Sequence, residues 1–367
     1  MNKRLLILSD PIGKPSYAPR LRYMCDYLHT HGFDIEVYTE KIQDYSFAHS
    51  YPIHEWSIYR GQVDWAIKSF WSLLTDWRNR NFSRRVRNAT RGQSFDAVLV
   101  TTFSTFPLRA GLDIAKQRSI PLICDIRDLD EQVPNAQYQS HRGWWTYACR
   151  NLYKRVNIRR RNRVLRAADA ITTISPWHVQ FLQAFNKHVH LIYNGYDPKQ
   201  FYFAPVQADS FQVSYIGRIY EFQHPEELFR ILRQIDGVRL NLHTPDIQPI
   251  PTDMVGDEIR RSSVMIVLTD PAAKGMMTTK FYEALGCEKP IICYPSDHGL
   301  LADTIAKTNA GIATDNVDDI RTFIASKYAE WQQNGYTRQA VKNKEMFSRE
   351  LHAKQMEKVL NSMIEHD

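Results

Sequence analysis

No stretch of this chain approaches the roughly 18 consecutive apolar residues that a membrane-crossing helix needs. The N-terminal apolar run, Leu5 to Leu8, is four residues long before Asp10 and Pro11 interrupt it. It reads as a buried first strand rather than a targeting segment. Cysteine is scarce: Cys25, Cys124, Cys149, Cys287 and Cys293 are scattered, with no C-x-x-C spacing. That excludes the common zinc and redox motifs. An odd count without a signal segment argues for a reducing cytoplasm, with each thiol a small core residue. The 13 histidines show no metal-ligand spacing, and His178, His224 and His298 read as ordinary polar residues. No internal repeat and no low-complexity tract is present. Acid is missing from two segments: Arg78 to Arg91 holds six arginines, and Arg150 to Arg166 holds eight Lys or Arg, with no Asp or Glu in either.

What is present describes a globular protein. The chain has 367 residues, 43% hydrophobic and 24% charged, with net charge +7. That length suits two domains better than one core. The basic first half suggests anionic lipid headgroups, nucleic acid or phosphorylated substrates as partners. Nucleic acid is the least favoured, because no known nucleic-acid module is visible. Trp144 and Trp145 open the second basic segment, and Trp145, Cys149, Leu152 and Val156 recur at helical spacing. A basic amphipathic helix with tryptophan at its start suits an anionic membrane surface. The competing reading packs the same apolar stripe on the first domain.

Buried-strand patterns alternate with helical ones along the chain. Strands are expected at Leu5–Ser9, Ile35–Thr39, Ala97–Thr101, Pro121–Ile126, Ala170–Ile174 and His190–Tyr193. A second series follows at Gln212–Ile216, Arg239–His243, Val264–Leu268, Ile291–Tyr294 and Gly311–Ala313. Helical spacing joins Leu21, Met24 and Leu28, then Leu228, Ile231 and Ile235. The alternation implies an α/β chain with parallel sheets covered on both faces. A polar, proline-containing stretch at 203–210 suggests a boundary. Residues 1–205 then form one doubly wound domain, 206–337 a second, and 338–367 a helix that packs back on the first. Ligands of such sheets sit beyond the strands' carboxyl ends, in the cleft that two facing domains would form.

The most informative segment runs from Thr279 to Pro295. It passes from a polar loop into a short helix carrying Lys280 and Glu283, and ends on a buried strand. Cation and carboxylate three residues apart share one helix face. A helix N-terminus beside them attracts phosphate, and the carboxylate can accept hydrogen bonds from sugar hydroxyls. Together they suggest a nucleotide-sugar site. Asp125, Arg127 and Asp128 sit at another strand's carboxyl end. There a carboxylate can orient or deprotonate an acceptor hydroxyl, or form an internal ion pair with Arg127.

Five stretches, in order, resemble a GT-B glycosyltransferase of family 4. They are Ser9 to Arg20 leading to His31-Gly-Phe-Asp; Cys124-Asp-Ile-Arg-Asp-Leu; Ala168 to Ser175 followed by Leu191 to Phe201; Val213-Ser-Tyr-Ile-Gly-Arg; and the segment from Thr279. The resemblance implies two Rossmann-like domains facing a central cleft. It also implies transfer of a sugar from a nucleotide diphosphate donor, with retention and without a metal or other cofactor. A hexosyltransferase acting in bacterial surface polysaccharide synthesis is the expected type. Its acceptor would be a glycan or a lipid-linked sugar, and its place the cytoplasm or the inner face of the plasma membrane. Glu283 matches the second Glu of the family's pair and would hold the donor ribose; the first falls at Gly275, where the backbone N–H groups of Gly275 to Met277 would substitute. Arg218, with Lys280 or Lys274, would neutralise the diphosphate, because the family's second cation falls at Gln223. Gly13 and Thr279 belong to the same donor set, while Arg20, Trp144 and Trp145 lie on the acceptor or membrane side. Asp128-Leu-Asp130 imitates the metal-binding motif of the other glycosyltransferase fold, but the strand pattern around it does not fit that fold. A catalytically inactive GT-B-like binding subunit is the alternative, motivated by Gly275 and Gln223.

Overall fold

The computed structural model describes residues 2–12, 19–42, 51–57, 62–103, 105–132, 144–220, 223–272 and 275–365. The chain divides into two compact units. Of the described residues, the first comprises those within 2–131, 144–193 and 352–365; the second comprises Gln132 and those within 194–351.

The first unit is built on seven parallel strands: β1 (Lys3–Ser9), β2 (Phe33–Thr39), β3 (Ile53–Glu55), β4 (Ala97–Thr102), β5 (Leu122–Ile126), β6 (Ala170–Thr173) and β7 (Val189–Leu191). Their order is β3-β2-β1-β4-β5-β6-β7, so the chain reverses direction across the sheet between β1 and β4. Helices α1 (Pro19–Thr30), α2 (Gln62–Thr75), α3 (Trp77–Ala89), α4 (Leu108–Arg118), α5 (Trp144–Ala167) and α6 (Pro176–Leu182) belong to it. The period of two along a strand sends alternate residues to opposite faces. Leu5 and Ile7 of β1 therefore join one core with Leu21, Met24, Cys25 and Leu28 of α1. Leu6 and Leu8 join the other with Phe82 and Val86 of α3 and Leu108 and Ile114 of α4.

The second unit carries β8 (Phe211–Ile216), β9 (Val238–His243), β10 (Val264–Leu268), β11 (Ile291–Tyr294) and β12 (Gly311–Ala313), all parallel in the order β12-β11-β10-β8-β9. Its helices are α7 (Glu226–Arg233), α8 (Val255–Arg261), α9 (Thr279–Gly286), α10 (Leu300–Thr308) and α11 (Val317–Asn334). One face of this sheet packs Phe211, Val213 and Tyr215 against Leu228 and Leu232 of α7 and Ile320 and Ile324 of α11. The last helix, α12 (Arg349–Ile364), crosses the division at His352. Met356, Val359 and Leu360 of α12 complete the α1 face of the first unit. Among the described residues, no helix is long and apolar enough to cross a membrane.

Candidate active site

In the second unit the candidate residues gather where β8 and α9 meet. Gly217 follows β8 with φ +129, a backbone region that L side chains rarely adopt. A Cβ at this position would lie 2.5 Å from Cε and 2.9 Å from Nζ of Lys280. The missing side chain is thus the space in which the lysine stem lies. Its ammonium sits 5.4 Å from the centre of the Tyr215 ring, a cation–π placement. The Tyr215 hydroxyl donates to the Arg218 carbonyl at 2.6 Å, fixing the turn after β8.

Helix α9 begins with Thr278 as its N-cap, whose side chain accepts from the Lys280 N–H. Thr279 is the first helical residue, and Gly275 upstream has φ +61. Lys280 and Glu283 are each partly accessible, yet closely surrounded by protein. Burial lowers the Lys280 ammonium below the usual lysine range, opposed by Glu283. Burial likewise raises the Glu283 carboxyl, against the pull of Arg349 and Lys280. Among the described residues no ion pair within 4.0 Å involves Lys280, Glu283 or Arg218. Arg218 is exposed. Arg349 is the residue that sequence reasoning did not find. It is buried, its Nε donates to the Asn194 carbonyl at 3.3 Å, and its charge acts on Glu283 from 66 positions away. No local pattern signals such a partner. Gln223, where the resemblance would place a second cation, is buried: its Nε2 donates to the Leu268 carbonyl at 3.1 Å and its Oε1 accepts from the Tyr220 N–H at 3.1 Å. It braces the β8 loop against the end of β10.

In the first unit a second group lies at the carboxyl ends of β1, β4, β5 and β6. Asp125, 1% exposed, accepts from Arg20 Nη1 at 2.5 Å, Thr101 Oγ1 at 2.9 Å and Thr172 Oγ1 at 2.7 Å. Burial opposes its ionisation, but the charge and hydrogen bond of Arg20, with Thr172 and Arg127, outweigh it and hold the carboxyl below the usual range. Arg20 also donates to the Ile192 carbonyl at 3.1 Å. Arg127 is paired instead with Asp10 at 2.7 Å, its guanidinium 3.6 Å from the centre of the Phe103 ring. Asp10 in turn accepts from the Phe103 N–H at 2.8 Å. The ion pair weighed between Asp125 and Arg127 is therefore replaced by two pairs, each reaching to a different strand or helix.

Asp128 differs from both. It is exposed and has no hydrogen bond or ion pair among the described residues. Desolvation by the surrounding protein, aided by Asp10 and Asp130 and opposed by Arg127, pushes its carboxyl up to about 7. Among the described residues no group of three His, Cys, Asp or Glu is placed to hold a metal ion. Gly13 and Lys274 lie outside the described residues, as do the side chains of Trp144 and Trp145 at the start of α5.

Two doubly wound parallel sheets in one chain match the GT-B fold, and structural comparison agrees on that fold. The chain is similar to sucrose-phosphate synthase from Thermosynechococcus elongatus, at 16% identity over 100% of both chains and TM-score 0.74. It is similar to HepE of Anabaena, solved with UDP-glucose, at 14% identity over 98% of this chain and 99% of that one, TM-score 0.63. A putative UDP-N-acetylglucosamine 2-epimerase from Listeria monocytogenes shares the fold at 12% identity over 100% of this chain and 98% of that one, TM-score 0.60. No curated protein matches the sequence significantly. The model of Glycosyltransferase Family 4 matches residues 19–200, just under half of the chain.

Proposed function

We propose that this protein is a glycosyltransferase that takes a nucleotide diphosphate sugar as donor. The reading includes transfer of a hexosyl group with retention, without a metal, to a glycan or lipid-linked acceptor in bacterial surface polysaccharide synthesis. It places the enzyme in the cytoplasm, peripheral to the inner face of the plasma membrane. The observation that carries it is the pairing of Lys280 and Glu283 on one face of α9, desolvated yet without ion pairs. Charged groups kept without a close ion-pair partner are held ready for a ligand that supplies the opposite charge and hydrogen bonds. As the bond from the anomeric carbon to the diphosphate breaks, negative charge builds on the leaving oxygen. Lys280, Arg218 and the α9 N-terminus meet that charge, while Glu283 accepts from the ribose hydroxyls. The family-4 match of residues 19–200 and the UDP-glucose and UDP complexes of HepE support the donor class.

On the first unit, Asp125, Arg20 and Arg127 are positioning residues in this reading, because their polar atoms are engaged internally. Asp128 is the carboxylate that an acceptor hydroxyl can reach, and it accepts that hydroxyl's hydrogen bond when ionised. With its carboxyl near 7, the active anion is lost as pH falls through that value. Turnover therefore falls on the acid side of about pH 7, and Asp128→Asn is slower and lacks that limb. A wild-type profile flat through this range would remove Asp128 from the role.

The donor test is a thermal-shift screen with UDP, GDP, TDP and CMP and their common sugars, on the wild type and on Glu283→Ala. A donor that binds the folded state raises Tm with its affinity. One charged hydrogen bond to ribose is worth about a tenfold change in affinity or more. A selective shift in the wild type that is smaller in Glu283→Ala, by the amount a tenfold weaker affinity gives, is the expected result. Gln223 favours one second reading, a GT-B-like subunit that binds without transfer, because the position of the family's lysine is committed to bracing a loop. Donor binding without product from any acceptor would select it.

A further inference from the structure

Helix α2 carries an apolar stripe that faces outward. Ile67, Phe70, Trp71 and Leu74 recur at i, i+3, i+4 and i+7, one face of a helix, and are 54%, 60%, 52% and 59% exposed. Isolated exposed apolar residues are ordinary, but an aligned aromatic and aliphatic face marks an interaction surface. Its surroundings indicate the partner. Helix α3 follows directly, after Asp76, and exposes Arg80, Arg84 and Arg85. Helix α5 abuts the last turn of α2, where Arg160 donates to the Ser72 and Leu73 carbonyls, both at 2.7 Å. The outer side of α5 exposes Leu152, Arg155, Arg159 and Arg163. None of these exposed arginines is ion-paired among the described residues. A protein partner with an acidic face would account for the arginines alone. A bilayer accounts for both, because its anionic headgroups meet the cations while the acyl boundary takes Phe70 and Trp71.

We propose that α2 is the membrane-docking element of this protein, inserting its Ile67–Leu74 face into the interface of an anionic bilayer while the arginines of α3 and α5 hold the headgroups. The proposal builds on the peripheral-membrane part of the functional reading, and it moves the apolar contact from the Trp144–Trp145 end of α5 to α2. It does not depend on the donor chemistry.

The test is co-sedimentation of the full chain with vesicles of phosphatidylglycerol and phosphatidylcholine in equal parts, and with phosphatidylcholine alone. The chain is expected to partition onto the mixed vesicles and to be released by salt. The double variant Phe70→Gln, Trp71→Gln loses partitioning at least about tenfold, since two aromatic anchors stay in water. Both residues are more than half exposed, so its circular dichroism and Tm match the wild type. The double variant Arg84→Gln, Arg159→Gln binds more weakly with a flatter salt dependence. Wild type left in the supernatant, or Phe70→Gln, Trp71→Gln binding as tightly as wild type, overturns the proposal. So does a concentration-dependent dimer that this variant abolishes without any vesicle binding, which would give the stripe to a second copy. A nucleotide-dependent thermal shift retained in the variant separates this outcome from failure of the donor reading.

Discussion

Lys280→Ala lowers kcat for sugar transfer by roughly 10²- to 10³-fold, the usual cost of removing one preorganised group that meets charge as it develops. The position of the ammonium is the reason. It lies in the space left by Gly217 and over the Tyr215 ring, with no carboxylate within ion-pair distance. A cation with no ion pair to break is free to meet an arriving diphosphate, and its attraction grows as the leaving group gains charge. The loss should therefore fall on kcat more than on KM. Because burial lowers the Lys280 ammonium, the alkaline limb of the wild-type profile lies below the usual lysine range. Gly217→Ala tests the same placement with the lysine intact. Its methyl group would occupy the position of the lysine stem at a φ that disfavours any side chain. It should show part of the same kcat loss. An unchanged kcat in Lys280→Ala would assign the leaving-group charge to other residues.

Arg20→Ala destabilises the first unit by about 3–5 kcal/mol, the range found when one partner of a buried ion pair is removed. Asp125 would keep two threonine hydroxyls but lose the charge that offsets its burial. The sign of the pH dependence follows from the lowered carboxyl. In the wild type the pair stabilises fully above the unfolded carboxylate value, and that contribution is lost as pH falls through the folded one. Urea denaturation at neutral pH measures the difference. Adding Asp125→Asn to Arg20→Ala should recover part of it, because the uncompensated charge is gone. A midpoint for Arg20→Ala equal to wild type would show that Asp125 is not held as a buried anion.

The strands were legible because each is a run of β-branched and aliphatic residues bounded by polar turns, as in Val264–Leu268. Strand β3 was not: Ile53-His-Glu55 is three residues long, stands at the end of the strand order beside β2, and has no apolar run. Lys280 and Glu283 were legible because they are neighbours on one helix. Arg20 and Asp125 were each singled out, yet their pairing was not, because 105 positions separate them and only the sheet order brings α1 over β5. The reach of Arg127 to Asp10 was hidden for the same reason, since a strand's own alternation says nothing about the residue across the sheet. Spacing also cannot tell α1 from α2. Leu21, Met24, Cys25 and Leu28 repeat as Ile67, Phe70, Trp71 and Leu74 do, but the first set is buried and the second faces outward.

The path of α12 has a consequence for synthesis. Met356, Val359 and Leu360 belong to the same core as Leu5 and Ile7, although the second unit lies between them in sequence. On the ribosome, residues 194–351 have all been made before that core can receive its last helix. The second unit can close as soon as its own strands emerge, while the first waits with the α1 face of its sheet only partly covered. Loss of the segment after residue 351 would therefore be felt first by the part of the protein made earliest.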